Sequence, residues 1–306
     1  MPDLPIQEIR GAFPGPTVAL VAGVHGGKVA AVHALDSLSR LLRPELLHGV
    51  VLLVRPANRS GFDAGLAQTT PEDGLNLNRV FPGRDDGSYT ERLAARILRD
   101  VVARSDFLVD LHGSDGEEAV GRFAYAARSG LSLRTDSAAL RLATLWGLPL
   151  VVWDEDGPKT LAESRFLQTA AHLSGVPAIT VFEAGDSRED PAATAAFVAG
   201  ASNMLRRLGV LRDQRADATR ILVLARRDVT LASAPGTWTP SVSPARPAAR
   251  NELLGVLLTA QGTDSLRAPA HGFVLHQRLS GAVTAGTPLV ILGLLPQPSS
   301  LPRNTP

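Results

Sequence analysis

Apolar runs alternate with helical patterns along the first two thirds of the chain. Nearly continuous apolar stretches cover residues 17–24 (TVALVAGV), 50–54 (VVLLV) and 178–182 (AITVF), as is typical of strands buried on both faces of a sheet. Residues 29–42 and 91–102 instead carry apolar side chains at helical spacing. Strands that alternate with helices predict a three-layer α/β fold with a mixed, mostly parallel sheet.

Finer signals predict where further helices begin and end. Thr90 is the expected N-cap of the 91–102 helix. Two more helices are expected near residues 136–146 and over 163–173, the second ending at Gly175. Residues 59–83 follow neither pattern, and irregular segments of this length are usually functional.

The pattern changes after about residue 215. Short β-type runs then follow one another, separated by Gly and Pro, in ILVLARRDVTLAS, ELLGVLLTA, GFVLHQRL and TPLVIL. We therefore expect an α/β domain over residues 1–215 and a small all-β domain over 216–294. The remaining residues, 295–306 (LPQPSSLPRNTP), have the composition of a disordered tail.

Charge and composition exclude several classes of protein. The 306 residues include 31 basic and 30 acidic side chains, a balance that argues against nucleic-acid or membrane-surface binding through bulk charge. The sequence contains no cysteine, so a metal would have to be held by His and carboxylates. No signal peptide and no apolar run near the ~20 residues of a membrane span are found. We expect a cytoplasmic protein, and a homo-oligomer is left open.

Two histidines lie where ligands bind in open α/β sheets, at the carboxyl ends of strands. His112 ends the β-type run DFLVDLH, with Asp110 two residues earlier, and His25 follows the apolar run 17–24. His112 is placed to hold a metal, but an ordinary polar residue at a strand end is the alternative. The Gly26-Gly27 turn after His25 lacks the spacing of nucleotide-binding loops, which disfavours phosphate binding there.

Asn78 and Arg79 precede the rigid turn Phe81-Pro82-Gly83. Such a fixed pair of donors suits a carboxylate ligand. A surface arginine that caps a loop is an equal alternative from the sequence alone.

Four segments occur in the order that one family shows: VAGVHGGK, DGLNLNRVFPG, DLHG and TVFEAG. With them the chain resembles the succinylglutamate desuccinylase/aspartoacylase family, a branch of the zinc carboxypeptidase-like hydrolases. The closest likeness is to bacterial members that deacylate small N-acyl amino acids. The segment 268–292 also resembles the β-domain of that branch, which is similar to biotinyl/lipoyl domains. The resemblance implies a zinc carboxypeptidase-like fold and zinc-dependent hydrolysis of the amide bond of small N-acyl amino acids.

The resemblance also implies roles for individual residues. His25 and His112 match zinc ligands, and Glu183 matches the general base that takes a proton from the metal-bound water. Asn78 and Arg79 match the pair that grips the substrate carboxylate. Two His ligands, a base and an anion clamp are the parts of metal-assisted amide hydrolysis.

The chain departs from the family pattern at two positions. The family's glutamate ligand falls at Lys28, and because an ammonium cannot bind zinc, we expect zinc (Zn) to be held weakly or not at all. Lys28 is either carbamylated, or places its ammonium where zinc would sit, or marks a catalytically impaired protein that binds acyl-amino acids without turnover. The family's carbonyl-polarising arginine falls near Ala67, and Arg55 or Arg59 is a candidate replacement.

Overall fold

The computed structural model describes residues 2–184, 189–213 and 220–296. The helices in these ranges are α1 Val29–Leu41, α2 Arg59–Asp63, α3 Tyr89–Asp100, α4 Leu133–Trp146, α5 Leu167–Leu173 and α6 Pro191–Arg207. The strands up to residue 224 are β1 Ile6–Arg10, β2 Phe13–Ala22, β3 His48–Val54, β4 Phe107–His112, β5 Glu118–Val120, β6 Phe123–Ala127, β7 Leu150–Asp154, β8 Ala178–Phe182 and β9 Leu222–Leu224. The later strands are β10 Arg226–Leu231, β11 Gly236–Pro240, β12 Pro247–Ala248, β13 Leu253–Thr259, β14 Gly262–Arg267, β15 Gly272–Arg278, β16 Gly281–Val283 and β17 Pro288–Leu294.

The main sheet has eight strands in the order β1-β3-β2-β4-β8-β6-β7-β9. Neighbouring strands run parallel except in the pairs β1–β3 and β6–β8. The predicted mixed, mostly parallel sheet is therefore confirmed. Because β2, β4 and β8 lie side by side and point the same way, the residues that follow these strands meet at one edge.

Helices cover both faces of this sheet. Helices α1, α4 and α6 pack on the face that receives Val18, Leu20 and Ala22 of β2, whereas α3 and α5 pack on the face that receives Ala19 and Val21. This two-sided burial explains why β2 is continuously apolar from Val18 to Ala22. None of the helices in the described ranges is long and apolar enough to cross a membrane.

Strands β10 to β17 form two antiparallel sheets. One has the order β10-β17-β15-β12 and the other β14-β13-β11-β16, and their shared core includes the fully buried Trp238. Residues 220–296 contain no helix, as the sequence predicts. The border expected at residue 215 and tail residues 297–306 lie outside the described residues.

Strand β5 joins the two parts of the chain. It leaves the α/β part after β4 and pairs antiparallel with β15, so that Val120 lies opposite His276 and Glu118 opposite Arg278. The C-terminal strands are thereby fixed against the carboxyl edge of the main sheet.

Several predicted boundaries are wrong. Ser88, not Thr90, caps α3, because Ser88 and Glu91 exchange hydrogen bonds in a capping box; the Thr90 hydroxyl donates to Asp73 instead. The apolar run 17–24 begins within β2 (Phe13–Ala22), whose strand ends before Val24.

The helix expected over 163–173 is split. A short 3₁₀ helix, Leu161–Glu163, is followed by α5 from Leu167, because Arg165 pairs with Phe81 and Asn78 Oδ1 accepts the Leu167 N–H. Helix α4 begins earlier than expected, at Leu133. The segment 59–83, expected to be irregular, contains α2 and a 3₁₀ turn at Leu77–Arg79.

Candidate functional site

A cavity of about 240 Å³ lies at the carboxyl edge of the main sheet. The strand register places Ala22 beside Leu111 and His112 beside Phe182. His112 at the end of β4 and His25 just after β2 therefore lie at the carboxyl ends of neighbouring strands. The cavity is lined from the α/β part by His25, Lys28, Asn78, Arg79, His112 and Glu118, and from the C-terminal strands by Arg227, His276 and Arg278, among others. Five of the six predicted site residues therefore line one cavity.

The two histidines present their rings to each other. Their ring centroids are 5.3 Å apart at 87°. His25 Nε2 lies 3.0 Å from Asn76 Oδ1, and His112 Nε2 lies 2.9 Å from Asp110 Oδ2. Such outer partners hold the imidazoles of metal sites in one tautomer.

Hydrogen bonding fixes the tautomer of His25. Asn76 Oδ1 also accepts the backbone N–H of Asn78 at 2.9 Å, so this atom is an acceptor and His25 Nε2 carries the proton. Nδ1 then holds a lone pair, and this buried atom has no hydrogen-bond partner among the described residues. Burial, and then the neighbouring His112, Lys28 and Arg79, lower the pKa of His25 well below its ordinary value.

Lys28 lies between two carboxylates. Its Nζ is 2.8 Å from Glu118 Oε1 and 3.3 Å from Asp115 Oδ2, and its side chain is only 3% exposed. Burial acts to lower the pKa of Lys28, but the charges of Glu118 and Asp115 outweigh it and raise that pKa. Lys28 is therefore a charged ammonium.

Glu118 connects Lys28 to the C-terminal strands. Its second oxygen, Oε2, lies 3.3 Å from His276 Nδ1 on β15. Burial acts to raise the pKa of Glu118, but Lys28 and His276 hold it well below its ordinary value. The carboxylate is thus ionised and bound on both sides.

These residues do not fit a three-ligand zinc site. The two imidazoles suit a metal, but the third position holds an ammonium. Nowhere in residues 2–184, 189–213 or 220–296 do three His, Cys, Asp or Glu side chains form a group that could hold a metal ion. A catalytic zinc site ordinarily has three protein ligands.

Arg79 is available to bind an anion. Its guanidinium lies 4.9 Å from the Phe166 ring centroid and donates to the Asn78 carbonyl at 2.7 Å. No acidic side chain of the described residues lies within ion-pair distance of it. Asn78 beside it is fixed, because its Oδ1 accepts the Leu167 N–H at 2.8 Å. Arg79 therefore both caps a carbonyl of its own loop and presents a guanidinium without an acidic partner among the described residues to the cavity.

Glu183 is the predicted site residue that does not line the cavity. Its carboxylate accepts hydrogen bonds from Arg122 Nε at 2.7 Å and Trp146 Nε1 at 3.2 Å, and the side chain is 1% exposed. Trp146 reaches it only because residue 200 is glycine, where a Cβ would lie 2.1 Å from Trp146 Nε1. Glu183 is thus bound by Arg122 and Trp146 and is not among the residues that line the cavity with His25, His112 and Lys28.

The arginines considered as replacements for the family's carbonyl-polarising residue lie elsewhere. Arg55 binds Asp36 and Gln7, and Arg59 binds Asp63. Next to Ala67, Gln68 lines the cavity instead, and its amide donates to Asp115 at 3.2 Å.

Sequence reasoning missed the acidic and C-terminal members of the site. Arg227 lies over the Tyr125 ring at 4.2 Å and binds Asp154, while Arg278 binds Glu117. The one usable signal was the two-residue spacing of His276 and Arg278, which places both on one face of a strand. The strand pairing that brings this face to the cavity has no local signal.

The fold and site define an α/β protein whose mixed sheet has a cavity of small-molecule size at its carboxyl edge. A profile of the succinylglutamate desuccinylase/aspartoacylase catalytic domain matches residues 14–208. The chain belongs to this family of amidohydrolases.

Individual relatives agree with this assignment. The chain is 33% identical over 203 residues to N-alpha-acetyl-L-2,4-diaminobutyric acid deacetylase of Halomonas elongata; the match covers 65% of this chain and 57% of that protein. The product-bound ectoine utilization protein EutE (DoeB) of Ruegeria pomeroyi has a similar structure, with a TM-score of 0.83 and 24% identity over 94% of this chain and 88% of that one. A succinylglutamate desuccinylase of Silicibacter sp. TM1040 gives a TM-score of 0.81 and 23% identity over 96% and 89% of the two chains. At these identities the two structural matches show a shared fold.

Proposed function

We propose that the protein binds small N-acyl amino acids in this cavity and hydrolyses their amide bond. The observation that carries the proposal is the Arg79 guanidinium, which enters the same cavity as the histidine pair and has no acidic partner among the described residues. An arginine left unpaired in a cavity is suited to a ligand carboxylate. The membership in a family of deacylases supports the choice of reaction.

The size and walls of the cavity suit a small ligand. Its volume of about 240 Å³ lies below the roughly 300–1,000 Å³ of sites for drug-sized molecules. Phe123 and Phe182, whose rings stack at 4.4 Å, form an apolar wall. A short acyl group fits against such a wall.

The charges of the cavity favour a ligand with one carboxylate. Three of its four cationic side chains already have acidic partners: Lys28 with Asp115 and Glu118, Arg227 with Asp154, and Arg278 with Glu117. Arg79 is left for the ligand.

A panel of three ligands tests this proposal: N-acetyl-L-2,4-diaminobutyrate, N-acetyl-L-aspartate and N-succinyl-L-glutamate. Calorimetric titration measures binding, and the release of free amino acid measures turnover. We expect N-acetyl-L-2,4-diaminobutyrate, which has a single carboxylate, to bind most tightly and to be hydrolysed. Preference for the ligands with several carboxylates, or failure to bind any of the three, would contradict the proposal.

Binding without turnover is the second candidate function. It is favoured by Lys28 at the position of the zinc-binding glutamate and by Glu183, which binds Arg122 and Trp146 outside the cavity. The same panel separates the two candidates, because a binding protein gives a heat of titration but releases no amino acid.

We further propose, from the sequence pattern, that the protein acts in the cytoplasm. We also propose that the α/β part has the zinc carboxypeptidase-like fold and shares that kinship with those hydrolases. The sheet order and the two helix layers support that kinship.

A further inference from the structure

Lys28 is one of only two lysines in the sequence, and its side chain is buried in the cavity wall. The sequence has 31 basic residues, yet Lys28 and Lys159 are its only lysines. Lys159 is exposed and bonds to backbone carbonyls of Arg128 and Glu155. Lys28 instead lines the cavity, with its Nζ fixed by Glu118 at 2.8 Å and Asp115 at 3.3 Å.

The ammonium has one more donor than it has acceptors within the described residues. Lysine carries three N–H groups, and two of them point to Asp115 and Glu118. The third remains for a ligand in the cavity. A carbonyl oxygen is the ligand group that such a donor suits, because an ammonium strengthens the hydrogen bond and stabilises negative charge on that oxygen.

We propose that the Lys28 ammonium takes the place of zinc in this site: it donates a hydrogen bond to the acyl carbonyl oxygen of the ligand while Arg79 holds the carboxylate, and zinc is not bound. This inference rests on the proposed function for the identity of the ligand only, and it holds for either candidate function, hydrolysis or binding without turnover. The exclusion of zinc does not, because it follows from the donor set alone.

The arrangement around Lys28 disfavours zinc and carbamylation alike. A zinc ion between His25 and His112 would meet a fixed positive charge where the family has a carboxylate, and the two charges repel. Carbamylation needs a neutral amine, whereas the buried Lys28 Nζ lies within ion-pair distance of two carboxylates, at 2.8 Å from Glu118 and 3.3 Å from Asp115, which favour the ammonium. The ion pairs therefore favour the interpretation in which the Lys28 ammonium lies where zinc would sit in the family.

Zinc binding tests the exclusion of metal. Wild type, Lys28→Glu and the control Lys159→Glu are produced in zinc-supplemented medium, and zinc per chain is measured by mass spectrometry. Zinc affinity is then measured by competition with a chromophoric chelator. We expect wild type and Lys159→Glu to carry a small fraction of one zinc per chain. Lys28→Glu, which supplies the missing carboxylate, should bind zinc at least about 10-fold more tightly, since even outer-shell partners of metal ligands change metal affinity by about 10- to 100-fold.

The ligand arm uses Lys28→Gln, which keeps a hydrogen-bond donor but loses the charge, with Lys159→Gln as its control. We expect the affinity for the best ligand of the panel to fall about 10-fold or more in Lys28→Gln only. Unchanged affinity in Lys28→Gln would overturn the carbonyl contact.

Other outcomes overturn the exclusion of zinc. Close to one zinc per chain in wild type, or equal zinc affinity in wild type and Lys28→Glu, contradicts it directly. Zinc that appears in wild type only with bicarbonate would show a carbamate at Lys28. If Lys28→Glu does not fold, the zinc content of wild type still decides. Zinc measurements use no ligand, so their failure is distinct from failure of the proposed function.

Discussion

Replacing Arg79 with alanine is expected to weaken binding of the preferred N-acyl amino acid by about 10- to 100-fold. Hydrogen bonds to charged groups contribute about 1.5–3 kcal/mol each to binding or stability. Arg79 is the cavity cation to which the described residues offer no acidic partner, so it is the one expected to bind the ligand carboxylate. The ligand carboxylate would then be desolvated without compensation. Calorimetric titration of the variant measures the loss.

Two further variants make this prediction specific. Arg79→Lys keeps the charge but loses the planar pair of donors, so an intermediate affinity is expected. Arg84→Ala is the matched control, because Arg84 is exposed and its ion pair with Glu91 lies outside the cavity lining. If Arg79→Ala binds like wild type, or Arg84→Ala loses as much affinity, Arg79 does not hold the carboxylate.

Replacing Lys28 with methionine is expected to lower the free energy of unfolding by about 3–5 kcal/mol, the usual cost of breaking a buried ion pair from one side. The Asp115 side chain is 0% exposed, so removal of the ammonium leaves a buried charge whose remaining partners are neutral donors such as Gln68. Urea denaturation measures the change.

A double-mutant cycle separates this charge effect from packing. Lys28→Met combined with Asp115→Asn removes both charges, and we expect the pair to be less destabilised than the sum of the single variants. A Lys28→Met protein within about 0.5 kcal/mol of wild type, the range of ordinary surface changes, would show that the ion pairs contribute little to stability.

The main sheet could be predicted because its strands have a local signature. The run in β2 is apolar at every position from Val18 to Ala22 because Leu20 faces one helix layer and Val21 the other. Burial on both faces of a sheet therefore gives a strand sequence that can be recognised locally. Strand-end placement likewise brought His25 and His112 to one cavity. Helix ends were less predictable, because Ser88 and Thr90 are both suitable caps and only the Glu91 side chain decides between them.

The electrostatics of the site depend on contacts that no local pattern encodes. Lys28 meets Glu118 across 90 positions of sequence, and Glu118 is held there by the pairing of β5 with β15. The orientation of Glu183 depends in the same way on Arg122 and Trp146. The sequence could show that a zinc ligand had become a lysine, but the partners of that lysine required the fold.

Ligand binding without metal is the most direct test of this account. The protein is dialysed against excess chelator and then titrated with N-acetyl-L-2,4-diaminobutyrate, with and without one equivalent of zinc. Because Lys28 and Arg79 are predicted to hold the acyl carbonyl and the carboxylate, we expect the same dissociation constant in both titrations. Binding that appears only after zinc is added would contradict the account.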